Sequence, residues 1–140
     1  KAYVDGSYNA STKVYGAGAV LFLGEGADPI PLSQPGNHPA FIGSRNVAGE
    51  VMAATLVIEA CKKVPDLEEL TLYYDYAGIE CWAKGSWRAN TTLSRGYRDA
   101  VKNAYPHSHF PVFQNENHMQ MQILDPEGFA KMLDTVICTD

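Results

Sequence analysis

Cysteine is scarce and badly placed for chemistry. Cys61, Cys81 and Cys138 are odd in number, far apart and without a Cys-x-x-Cys pair. That spacing excludes a disulfide framework and a thiolate zinc site. All three sit in apolar, helix-like surroundings, as expected of reduced core thiols in a cytoplasmic protein. Long apolar runs are missing as well. No stretch approaches the ~20 residues needed to span a bilayer, and no signal-like segment precedes the first strand pattern, so a membrane is not an expected partner. Basic charge is also short: 11 Lys and Arg stand against 16 Asp and Glu, for a net charge of −5. A protein that coats nucleic acid by broad electrostatics alone would carry the opposite sign. The balance still suits a protein that gathers several carboxylates around a divalent cation.

What is present describes one compact unit. At 140 residues and 46% hydrophobic, the chain is long enough for a single core, and its composition excludes disorder throughout. No internal repeat or low-complexity tract divides it, so residues 1–140 are expected to form one domain. The chain opens at Lys1 directly on a strand pattern, which leads us to expect a piece of a longer protein.

The hydrophobic period changes along the chain. Ala2 to Tyr8 and Tyr15 to Leu23 read as two strands of an antiparallel hairpin, joined by the polar turn Asn9-Ala10-Ser11-Thr12-Lys13. A third strand is expected near Pro29 to Leu32, where the prolines favour an edge. Pro35 to Arg45 reads as a loop. Val47, Val51, Ala54, Ile58 and Cys61 then recur at spacings of three and four, predicting a long helix that ends near Lys63. Leu67 to Tyr74 is a buried strand. Tyr76 to Lys84 is a short helix stopped by Gly85, and Thr92 to Ala104 is helical again. His109 to Phe113 is a last strand, and Asp125-Pro126 opens a final helix to about Ile137. The expected fold is α/β: a mixed five-stranded sheet, with three antiparallel meander strands plus parallel strands, flanked by helices.

Three carboxylates abut apolar elements: Asp5 on the first strand, Glu50 near the start of the long helix, and Asp75 at the end of the central strand. Each has an ordinary explanation when taken alone. Asp5 precedes a glycine and suits a turn, Glu50 suits the first helical turn, and Asp75 suits a helix N-cap. Asn46 has a capping explanation and Trp87 one as a core anchor. Together the acids fit a shared divalent cation, because unpaired charge against apolar surface is costly. An all-oxygen donor set favours Mg²⁺ or Mn²⁺ over zinc.

Asp5-Gly6-Ser7 on a first strand, Asn46 four residues before Glu50, and Asp75 closing a buried strand resemble the type 1 ribonuclease H family. The stretch Tyr73-Tyr74-Asp75-Tyr76-Ala77-Gly78-Ile79-Glu80-Cys81-Trp82-Ala83 is similar to bacterial and phage-type members, which often carry a separate N-terminal hybrid-binding domain. The likeness runs in order over roughly residues 1–104. It implies a ribonuclease H-like fold and a metal-dependent endonuclease that cuts the RNA strand of RNA–DNA hybrids, with the hybrid and an upstream domain as partners. It also implies that Asp5, Glu50 and Asp75 hold two Mg²⁺ ions (or Mn²⁺) about 4 Å apart. Gly6, Ser7 and Asn46 would contact sugar hydroxyls of the hybrid. Trp87 would border the DNA strand, with Arg88 and Asn90 near phosphates.

The C-terminal segment departs from that family, which carries Gly-His-Ser-Gly, an Asn-Glu pair and a fourth Asp early in the last helix. Here the chain reads Asn115-Glu116-Asn117-His118-Met119, then Leu124-Asp125-Pro126-Glu127-Gly128-Phe129-Ala130-Lys131. His118 stands where the resemblance places the loop histidine. Asp125 and Glu127 compete for the fourth carboxylate: Asp125 keeps the residue type, Glu127 the alignment of the following residues. Three other readings stay open: a catalytically impaired module that binds hybrid or a partner protein, another nuclease of the same broad fold, and a structural domain with no nucleic-acid role.

Overall fold

A computed structural model of the chain describes residues 1–24, 26–38, 41, 43–64, 70–104 and 112–115, with backbone alone at Asn46 and 112–115. Strands β1 (Ala2–Asn9), β2 (Val14–Leu21) and β3 (Ile30–Gly36) form the meander. Asn9 closes the first turn as an Asx-type residue. Its Oδ1 accepts the Ser11 N–H at 2.9 Å and the Thr12 N–H at 3.3 Å, while the Lys13 N–H donates to its carbonyl at 2.8 Å. β3 runs four residues beyond Leu32, past Pro35. Edge position explains this difference, since a strand paired on one side tolerates lost donors.

Helix α1 (Asn46–Lys62) crosses back over the sheet to β4 (Thr71–Tyr74). The three-and-four spacing predicts a stripe, but Ala48, Val51, Ala53, Ala54, Val57, Ile58 and Cys61 are all buried. The reason is that α1 packs against β1 and β2 and also against a later helix. β4 lies beside β1, parallel to it, with Leu72 facing Ala2 and Tyr73 facing Tyr3. Its predicted start at Leu67 falls outside the described residues.

Helix α2 (Gly78–Lys84) ends at Gly85, whose φ of 81° is the left-handed turn that favours glycine. Helix α3 (Thr92–Ala104) opens on a reciprocal cap: Ser94 N–H donates to Thr91 Oγ1 at 3.1 Å, and Thr91 N–H to Ser94 Oγ at 3.1 Å. β5 (Val112–Asn115) pairs parallel to β4, two residues further along than the expected Phe113 end. The sheet order is β3-β2-β1-β4-β5, antiparallel on the β3 side and parallel on the β5 side. Tyr15, Val57, Ile58, Leu70, Leu72, Ile79 and Tyr97 fill its core. The expected final helix, 125–137, lies outside the described residues. No helix among the described residues is long and apolar enough to cross a membrane.

Candidate active site

Asp5 lies inside β1 rather than in a turn, opposite Gly18 of β2, and is only 7% exposed. Gly6 N–H donates to Asp5 Oδ1 at 2.8 Å. The residues across from Gly6 and Ser7 are Ala17 and Gly16, so this end of the hairpin is thin. Gly49 of α1 rests on that thin place. A Cβ at position 49 would collide with the Gly16 carbonyl oxygen and stand 3.0 Å from Gly6 Cα and 3.1 Å from Ser7 N. The helix backbone therefore approaches the hairpin as only glycine permits, and the next residue, Glu50, comes alongside Asp5.

Glu50 is 5% exposed and hydrogen-bonds Asp5. A bond between two carboxyl groups requires a proton on one of them. The Glu50 carboxyl is pushed far above the ordinary glutamate range, first by burial, then by the Asp5 bond and charge, with the Asp75 charge adding to the same direction. The Gly6 N–H works against it, by more than the Asp75 charge adds. Glu50 is the fifth residue of α1, and the helix has no acid in its first turn. A helix-dipole explanation of this residue is thereby removed.

Asp75 follows the last residue of β4 and is half-buried. The N-cap of α2 is Ala77, with no side-chain cap bond, so Asp75 is not that cap. Asp5 and Glu50 are in direct contact, and the Asp75 charge acts on Glu50. Among the described residues no group of three or more His, Cys, Asp or Glu side chains has metal-holding geometry. Two buried side-chain oxygens described here lack a hydrogen-bond partner, Ser7 Oγ and Glu50 Oε2. An orphaned carboxylate oxygen beside a second carboxylate, Asp5, is a hard donor of the type that oxygen-seeking cations take.

Asn46 is the first residue of α1, one turn before Glu50, and Arg45 rather than Asn46 occupies the cap position. The Asn46 side chain lies outside the described residues, as do His118, Asp125 and Glu127. Trp87 is 41% exposed, which excludes a core anchor. Its ring meets Tyr76 at 6.1 Å and Trp82 at 5.9 Å, edge to face, and Tyr76 immediately follows Asp75. The Trp87 N–H donates to the Cys81 carbonyl at 3.1 Å, tying the loop to the end of α2. Arg88 and Asn90 are exposed in the loop before α3, where the Asn90 carbonyl accepts Arg95 Nη1 at 3.1 Å. Sequence reasoning passed over Gly16, Gly49, Tyr76 and Trp82. A glycine inside a helix costs about 1 kcal/mol against alanine, so Gly49 was the one with a readable signal.

An antiparallel three-strand meander continued by parallel β4 and β5 and flanked by helices is the ribonuclease H fold. Ribonuclease H1 from the halophilic archaeon Halobacterium salinarum is similar at 15% identity and TM-score 0.72, over 97% of this chain and 95% of that one. LC11-RNase H1, solved in complex with an RNA/DNA hybrid, is 14% identical at TM-score 0.72, over 97% of both chains. The prototype foamy virus protease–reverse transcriptase is 18% identical at TM-score 0.68, matching 99% of this chain and 21% of that one. At such identities the likeness establishes the fold. No family model and no curated protein matches the sequence.

Proposed function

We propose that this domain is a metal-dependent endonuclease that hydrolyses the RNA strand of RNA–DNA hybrids. The observation that carries the reading is the buried Asp5–Glu50 carboxyl pair with its orphaned Glu50 Oε2, set within reach of the Asp75 charge in a ribonuclease H fold. Two ionised carboxylates in one buried site repel each other unless a counter-charge lies between them. Asp5, Glu50 and Asp75 would hold Mg²⁺ or Mn²⁺, with Asp125 or Glu127 completing the set and His118 beside it. When bound, the metal supplies an activated water and stabilises the leaving 3′ oxygen.

The chain's own residues do the rest. Gly49 seats α1 so that Glu50 meets Asp5. Gly6, Ser7 and Asn46 line the start of α1 and the adjoining strand, where sugar hydroxyls would distinguish RNA from DNA. Trp87 offers an exposed indole face beside Tyr76, with Arg88 and Asn90 next in the chain. Structural relatives solved on hybrid support that partner. An upstream hybrid-binding domain would supply further grip, and the free thiols Cys61 and Cys81 suit the reducing cytoplasm.

The test is a labelled RNA–DNA hybrid incubated with the 140-residue domain and Mg²⁺, Mn²⁺ or EDTA, alongside Asp75→Asn. We expect internal cuts in the RNA strand with metal and none with EDTA or the variant. A folded domain that leaves the hybrid intact with both metals refutes the enzyme. The departure of the segment from Asn115 to Lys131 from the family pattern favours the second reading, a hybrid-binding module of impaired activity. Retained hybrid binding without cleavage would select it.

A further inference from the structure

Asp75 stands on a corner that has little strength of its own. β4 is four residues long and α2 is seven, and α2 begins without a side-chain cap. Isolated helices of that length do not persist in water, so tertiary bonds must hold the corner. Two phenols do so. Tyr97 of α3, almost fully buried, donates its hydroxyl hydrogen bond to the Ile79 carbonyl. Tyr74, the last residue of β4, buries its ring in the core and donates its hydroxyl to Glu80 Oε1 at 2.8 Å.

We propose that Glu80 is a positioning residue, which accepts the Tyr74 hydroxyl and thereby clamps the β4–α2 corner so that Asp75 is held in register with Asp5 and Glu50. This rests on the reading of the three carboxylates as a metal site. The bond spans the corner, from the residue before Asp75 to the third residue of α2. Its chemistry suits a strong link: a phenol donating to a carboxylate is a charge-assisted bond. The Glu80 carboxyl is drawn down by the Tyr74 bond and, after a smaller opposing effect of burial, by Lys84, which keeps the acceptor ionised. Lys84 Nζ, 3.2 Å from Glu80 Oε2, is more than half exposed and adds little.

The clamp also carries the aromatic side of the site. Tyr76, inside the corner, meets Trp82 of α2 at 5.7 Å, and Trp82 meets Trp87. Releasing Glu80 would free α2 to drift, and a ~1 Å error at a catalytic carboxylate can cost ~100-fold in rate. Glu80 is not one of the three carboxylates assigned to the metal. It acts through Tyr74.

The experiment compares wild type, Tyr74→Phe, Glu80→Ala, their double variant and Glu80→Gln in the whole 140-residue chain. Tyr74→Phe keeps the buried ring, and glutamine keeps an acceptor oxygen, so folding survives in both. Two readouts are taken: kcat and KM on labelled hybrid, and the Mn²⁺ concentration that half-saturates the rise in melting temperature. We expect Tyr74→Phe and Glu80→Ala each to lower kcat about tenfold with KM nearly unchanged, and to raise the Mn²⁺ midpoint several-fold. The double variant should be no worse than either, and Glu80→Gln should restore most of both. Wild-type kcat and Mn²⁺ midpoint in Tyr74→Phe and Glu80→Ala would overturn the clamp and leave the enzyme standing, as would a lower melting temperature with an unchanged Mn²⁺ midpoint. A wild-type domain that neither cleaves nor responds to Mn²⁺ would overturn both.

Discussion

Glu50 shows how one residue can be costly to the fold and useful to the site. Its carboxyl is raised by burial, by the Asp5 contact and by the Asp75 charge. A raised carboxyl binds more protons in the folded state than in the unfolded chain, so stability falls as pH rises above the unfolded value of about 4.3. Its contribution is fully present below that value and is lost on the way up to the raised one. In EDTA the domain should therefore melt at a higher temperature at pH 5 than at pH 8, with the pH 8 deficit reduced in Glu50→Gln. The same variant should cleave no hybrid. A Glu50→Gln protein that melts with the pH dependence of wild type would show that the pair is not strained.

At the scale of elements, the β1–β2 hairpin and α1 meet through glycine. Gly16 and Gly6 thin the hairpin where Gly49 crosses it, and nothing larger than hydrogen fits at position 49. Gly49→Ala gains about 1 kcal/mol of helix propensity. It must also push α1 off a strand carbonyl, and backbone does not yield cheaply. We expect a net loss of about 1–3 kcal/mol in urea unfolding, together with loss of hybrid cleavage because Glu50 moves with the helix. A stabilised Gly49→Ala variant would show that α1 rides higher than described.

The whole molecule carries few cations for a nucleic-acid partner. Among the described residues, Lys62 pairs with Glu59, Lys84 with Glu80 and Arg98 with Asp99, and Arg95 bonds the Asn90 carbonyl. Arg88, beside Trp87, lies outside these pairs and is exposed. Each neutralised phosphate steepens the salt dependence of binding by about 0.9 in a log–log plot. Hybrid binding by the non-cleaving Asp75→Asn domain should therefore show a shallow slope, roughly −3 or less in magnitude, reduced by about 1 in Arg88→Ala. A slope near −8 would reveal a basic surface that these pairings conceal.

Order, spacing and residue type in the sequence already determined the order of the described elements, and singled out the two carboxylates, Asp5 and Glu50, that the fold brings into contact. Periodicity is a local property, and Asp-Gly-Ser on a strand, Asn46 before Glu50 and Asp75 after an apolar run are local patterns. The boundaries were less legible: β3 passes Pro35 because it lies at an edge, and α1 is buried beyond its stripe because it is enclosed by sheet and α3. The tertiary structure alone decided which groups touch. That Gly49 meets Gly16, that Glu50 bonds Asp5, and that Tyr74 reaches Glu80 are contacts set by packing. Glu80 in particular reads in sequence as an ordinary first-turn acid with a lysine four residues on. What makes it more is a phenol delivered from the neighbouring strand, and only the folded core delivers it.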